Sequence, residues 1–169
     1  TMLAPSAGLA AERWTVGITA NGSAIDALVV PGASAASPTV LLVGGIAGSD
    51  RSADAVTREV ARFEALSQSR RRFRLLAIPL ANPEMQPMQF PPTGMAYREH
   101  IESHVLWRWI GSHAPDLALI AGSDSGLADA LSHGLVGDVG SIPARRMQVD
   151  AKVLDEIAVL RGCAETTFA

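Results

Sequence analysis

Val40–Asp50, read VLLVGGIAGSD, decides the fold. Its apolar, β-branched start stops at Gly44-Gly45, and a short apolar run bounded by a glycine turn reads as a parallel strand buried on both faces. Gly44, Gly45 and Gly48 let backbone approach a ligand with no Cβ in the way. In open α/β sheets the carboxyl ends of the strands form the ligand crevice, so this turn is where a site is expected.

Working outward, Trp14–Thr19 and Ala24–Val30 are strand-like runs separated by Ala20-Asn21-Gly22-Ser23. Asn-Gly tolerates positive φ at both residues, which predicts an antiparallel hairpin. Pro31–Pro38 reads as a loop feeding a strand at Thr39–Val43. Beyond the glycine turn, Ser49, Asp50 and Ser52 are competent N-caps, and Val56, Val60 and Phe63 follow at helical spacing, predicting a helix over Ser52–Leu66. Phe73–Ile78 is the next buried strand, joined by a right-handed parallel crossover.

Prolines 83, 87, 91 and 92 make Ala81–Gly94 an irregular loop. A helix is expected over Met95–His113, with Tyr97, Ile101, Val105 and Trp109 on one stripe. Leu117–Ala121 reads as a third buried strand, and Gly122–Gly126 as a second glycine turn into a helix near Leu127, at the same end of the sheet as the first. The remainder carries a glycine-rich loop and a helix from about Asp150 to Leu160.

The 169 residues are read as one domain, 1–169, able to bury roughly 70% of its unfolded surface. With 48% hydrophobic and 5% aromatic residues, the chain suits an α/β protein better than a disordered chain or an aromatic-rich sandwich. A net charge of −3 argues against nucleic acid as a partner. Arg70, Arg71, Arg72 and Arg74 form the one basic patch, read as a solvated helix end complementing the dipole. Cys163 stands alone, which excludes an intramolecular disulfide. No run of 18 apolar residues appears, and Met2–Ala11 lacks the basic start of a signal peptide, so a cytoplasmic protein without membrane contact is expected.

Three constellations could carry chemistry. Gly44–Ser49 at a helix N-terminus could take a phosphate, but no P-loop lysine follows, the spacing is not GxGxxG, and Asp50 repels an anion. Gly122-Ser123-Asp124-Ser125-Gly126 resembles a nucleophile elbow with Asp124 in place of serine; His133 is the only histidine after it. His100 and His104 lie one turn apart near Glu99 and Glu102 and could share a metal, although HxExH is not the zincin spacing. In each case a tight turn, a helix cap or surface imidazoles give the plainer account.

In order along the chain, these segments resemble the zinc carboxypeptidase family, including its succinylglutamate desuccinylase and aspartoacylase relatives. Val16–Val30 resembles the family's opening hairpin, Leu41–Asp50 its "hhhGGIHGxE", and Ile78–Glu84 (IPLANPE) its "hPxxNPDG". Glu102-Ser103 ahead of Leu106–Trp109, then Ala114–Leu117, resemble the helix and "PDhhhDhHS" strand that follow. The resemblance implies a mixed, mostly parallel doubly wound α/β sheet with helices on both faces, in which the strand from Val40 is flanked on both sides. It also implies a zinc held by the His and Glu of HGxE and by the His ending the later strand. Those positions read here Ala47, Asp50 and Gly122 or Ala121, so two imidazoles are missing, and no zinc or other cofactor is expected.

The expectation is therefore a pocket formed by Gly45, Ala47, Gly48, Ser49, Asp50, Asn82, Gly122 and Ser123. It would bind a small amide- or peptide-like ligand, without catalysis or with divergent chemistry. The alternative is an active peptidase, amidase or deacylase using Asp124 or Ser125 or another metal arrangement. A third reading, a scaffold for assembly, gains if the pocket is filled by its own side chains.

Overall fold

A computed structural model describes residues 10–150. The antiparallel hairpin is present as β1 (Glu12–Ile18) and β2 (Ala24–Val30). It is followed by β3 (Thr39–Val43), α1 (Arg51–Glu64), β4 (Arg74–Ile78), α2 (Ile101–His113), β5 (Leu117–Ala121), α3 (Leu127–His133) and β6 (Ala144–Met147). The strands form one mixed sheet in the order β1-β2-β4-β3-β5-β6. β3 lies between β4 and β5, parallel to both, and β4 lies beside the hairpin. The doubly wound α/β class and the flanked central strand are as the sequence predicts.

Alternation along β3 explains why both faces need cover. Leu41 and Val43 point into a core shared with Val105, Leu106 and Ile110 of α2 and Leu127 and Leu131 of α3. Val40 and Leu42 point into the other core, with Val56, Val60 and Phe63 of α1. Leu41, Leu42 and Val43 are each at most 1% exposed, and burying such a side chain is worth about 1.5–3 kcal/mol. A strand apolar at every position is stable only where helices seal both sides.

Three expectations need correction. The helix expected from Met95 begins at Ile101: Met95 closes a turn through its carbonyl to the amides of Arg98 and Glu99, and His100 takes a left-handed φ of 46°. Tyr97, expected on the buried stripe, is 77% exposed. The glycine-rich tail of the domain contains a strand, β6, that carries no apolar run. Its Arg145 and Arg146 are exposed, and Met147 alone is buried; parallel pairing with β5 holds it in the sheet.

The third correction concerns the basic patch. Arg70 and Arg72 are exposed, but Arg71 is fully buried. Its guanidinium donates to the carbonyls of Glu64 (2.9 Å), Leu66 (3.2 Å) and Pro31 (3.5 Å) and lies 5.9 Å from the Phe63 ring centroid. Carbonyls beyond the end of a helix lack intrahelical partners, and this planar, five-donor group satisfies them from inside the protein. The helix expected over Asp150–Leu160, and Cys163, fall outside the described residues. Among the described residues no helix is long and apolar enough to cross a membrane.

Arg71→Ala is expected to cost about 2–4 kcal/mol in urea unfolding, because it empties the space of a fully buried side chain and leaves three part-buried carbonyls without its donors. Arg70→Ala and Arg72→Ala, on the solvent side, should stay within about 0.5 kcal/mol.

Candidate functional site

The two glycine turns leave the carboxyl ends of β3 and β5, which are adjacent and parallel, and so come together as the sequence predicts. The first is pinned to the end of β4. Gly44 N donates to Ile78 O, Ala81 N to Gly44 O and Asn82 N to Gly45 O, at 2.9–3.0 Å. Gly45 has φ +63°, and a Cβ there would sit 2.8 Å from the Leu80 Cα, so backbone meets backbone with no room for a side chain.

Asp50 is the N-cap of α1, its carboxylate accepting from the Ser52 amide (2.8 Å) and the Ser52 hydroxyl. That hydroxyl oxygen in turn accepts from Gly45 N at 2.9 Å. Ser52 is only 1% exposed. A Cβ on Gly122, where φ is +75°, would lie 3.0 Å from the Ser52 Cβ. One buried serine thus joins Asp50, Gly45 and the second glycine turn. The sequence marked Ser52 as a cap without indicating this junction.

Around it, Ala47, Ser49, Asp50 and Ser123 are exposed, while Gly45 and Gly48 are buried, with Met85 over Gly48. Asn82 is buried and faces inward. Its amide nitrogen donates to Ile46 O (2.9 Å) and Gln86 O (2.7 Å), and its Oδ1 accepts from Gln86 N (3.0 Å). Both amide hydrogens are therefore committed, one to the first glycine turn and one to the proline-rich loop.

Asp124 sits farther along the second turn. Its carboxylate accepts from Gly126 N and Ala128 N, both at 3.4 Å, and lies 3.8 Å from the Arg146 Nε. Arg146, which the sequence did not single out, belongs to β6. Ser125 is exposed with φ +48°. His133, the base an elbow would require, lies at the other end of α3, with its Nδ1 3.1 Å from Asp129 of its own helix. His100 and His104 tether the proline-rich loop, through Nδ1 to Pro87 O (3.3 Å) and Nε2 to Thr93 O (3.1 Å) respectively. Among the described residues no three His, Cys, Asp or Glu side chains gather as a metal group.

The sequence also passed over Glu84 as a structural element. Its carboxylate reaches back to the hairpin turn and accepts from Ser23 Oγ (2.6 Å), Asn21 Nδ2 (2.6 Å) and Thr19 Oγ1 (2.8 Å). These three bonds, that from Ser23 foremost, hold its pKa below the ordinary glutamate value.

No family model matches the chain, and no curated protein matches it in sequence. Solved structures do match. A metallo-carboxypeptidase from Burkholderia cenocepacia is 14% identical, with a TM-score of 0.54, over 68% of this chain and 37% of that one. The chain has a carboxypeptidase-like fold. A protein assigned as a carboxypeptidase from Burkholderia mallei gives 16% identity and a TM-score of 0.55, over 70% and 36%. Thrombin activatable fibrinolysis inhibitor gives 9% and 0.54, over 68% and 42%. The chain thus spans well under half the length of these carboxypeptidase-like structures.

A carboxylate whose folded pKa is depressed stabilises the fold fully above its unfolded pKa and loses that contribution as pH falls through the folded value. The stability difference between the native protein and Glu84→Gln should therefore be largest near neutrality. It should shrink on acidification from the ordinary glutamate pKa downward, as read by urea unfolding at a series of pH values.

Proposed function

We propose that this carboxypeptidase-like domain has lost the zinc ligands of the fold and keeps the crevice between its glycine turns as a binding pocket for a small amide- or peptide-like ligand. The observation that carries the reading is the engagement of Asp50 and Ser52. At the positions matched to the family's ligands, Ala47 and Gly122 offer no donor atom. The remaining carboxylate, Asp50, caps α1 and is hydrogen-bonded to Ser52. Catalytic zinc takes about three protein ligands and an open position, and this donor set does not fit it. No reaction step is derived through the metal.

What remains suits recognition. Asp50 Oδ2 has no protein donor among the described residues, and Ser49 and Ser123 are exposed on the first and second glycine turns. An amide N–H finds an acceptor in the carboxylate, and an amide carbonyl finds donors in the hydroxyls. Gly45 and Gly122 let the floor beneath these groups pack closely, against Leu80 and Ser52 respectively. An Asp124-centred reaction receives less support, because that carboxylate already receives the amides of Gly126 and of Ala128 in the first turn of α3, and His133 lies at the far end of that helix.

Elemental analysis after dialysis against a weak chelator should find well under one zinc per chain. A panel of peptide, amide, ester and N-acyl amino-acid substrates should show no chelator-sensitive turnover. Stoichiometric zinc lost in Asp50→Ala would overturn the reading, and so would turnover abolished by Asp124→Ala but indifferent to chelator.

A further inference from the structure

We infer a second binding site, for a small zwitterion, between the hairpin turn and the start of α2. A cavity of about 270 Å³ there is lined by Ala20 of the turn, Gln86 and Pro87 of the proline-rich loop, and Arg98, His100 and Glu102 at the head of α2, with Ile101 contributing an apolar wall. The feature that calls for a ligand is Glu102. It is only 4% exposed, yet its one hydrogen bond among the described residues is a long one, from Ala20 N to Oε1 at 3.5 Å. Oε2 has no protein donor among the described residues. A buried carboxylate left this far short of partners is costly unless a cation or a strong donor completes its shell.

The rest of the cavity says which ligand fits. Arg98 is exposed, and among the described residues no ion pair joins it to Glu102 or to any other carboxylate. Its guanidinium is free to grip a carboxylate through two parallel N–H bonds. His100 lines the same cavity, with Nδ1 against the Pro87 carbonyl. A carbonyl only accepts, so Nδ1 carries the proton, and in the neutral ring Nε2 is an acceptor. An acceptor pair of Glu102 Oε2 and His100 Nε2 suits an ammonium group. Arg98 suits a carboxylate, and Pro87, Ala20 and Ile101 suit an aliphatic side chain. A bare divalent cation fits worse, since the guanidinium repels it and only two ligating side chains are at hand. The chemistry is that of a free α-amino acid with an aliphatic side chain, and the site is independent of the crevice between the glycine turns.

Calorimetric titration of the full chain with L-leucine, N-acetyl-L-leucine and L-leucinamide tests this directly. L-leucine should bind, and capping either its ammonium or its carboxylate should weaken binding roughly tenfold or more, the scale of losing one charged hydrogen-bonded partner. Glu102→Gln should weaken L-leucine binding to the same degree without lowering the melting temperature of the free protein, as a carboxylate kept for a ligand requires. Arg98→Ala alters an exposed side chain, so it leaves folding intact and should likewise weaken binding tenfold or more, which keeps the test decisive even if Glu102→Gln folds poorly. Absence of L-leucine binding, or a capped probe binding as tightly as L-leucine, overturns the proposal. It falls equally if Arg98→Ala binds L-leucine as the native protein does.

Discussion

The turn after β3 and the segment after β4 are locked together backbone to backbone, and the arrangement of the sheet's carboxyl end depends on that lock. Three main-chain bonds join Gly44 and Gly45 to Ile78, Ala81 and Asn82, and the Asn82 side chain adds a fourth to Ile46. A Cβ on Gly45 would meet the backbone of Leu80, and one on Gly44 would meet the Ser52 carbonyl in the first turn of α1, which is why both positions are glycine. Buried main-chain polar groups must be paired, so the lock also satisfies groups that leave the ladder as the strands end. It fixes where α1 starts, and with it the positions of Asp50 and Ser52.

From this junction the two faces of the molecule diverge. α1 covers one side of β3 and β4, while α2 and α3 cover the other. The hairpin, antiparallel to β4, brings its turn to the same end of the sheet as the glycine turns, where Glu84 ties it down. Two neighbouring regions of that end therefore face solvent with different chemistry. One presents the Asp50 carboxylate and the Ser49 and Ser123 hydroxyls, and the other is lined by a buried carboxylate, an imidazole and a guanidinium.

Elements whose burial is complete were legible in the sequence. Thr39–Val43, Leu117–Ala121 and the run ending at Ile78 are apolar at nearly every position because both faces are sealed, and Asn21-Gly22 announced the hairpin. What escaped depends on partners distant in sequence. β6 has one buried residue and two exposed arginines, so only pairing with β5 makes it a strand. Helical spacing continues backward through Tyr97, yet the tethers from His100 and His104 to the proline-rich loop accompany a helix start at Ile101. Four arginines close in sequence look alike until the loop at Pro31 folds over one of them. At the crevice, the meeting of the glycine turns was legible from strand order. The inward commitment of Asn82 and the bond from Gly45 to Ser52 were not: the first needs the segment after β4 to meet the first glycine turn, and the second needs that turn to close back on the head of α1.

β1 is the outermost described strand on its side of the sheet, and its irregularity bears on how molecules of this protein meet one another. The register with β2 shifts between Thr15 and Gly17, and a Cβ on Gly17 would collide with a methyl of Val105, so the bulged strand lies close against α2. Glu12 and Arg13 stand at its beginning, with Arg13 held by Asp26 at 2.8 Å. An edge that is kinked, bent toward its own helix and charged at one end is a poor template for another strand. Self-association by sheet extension is thereby discouraged on this side even though the strands behind it are among the most apolar in the chain.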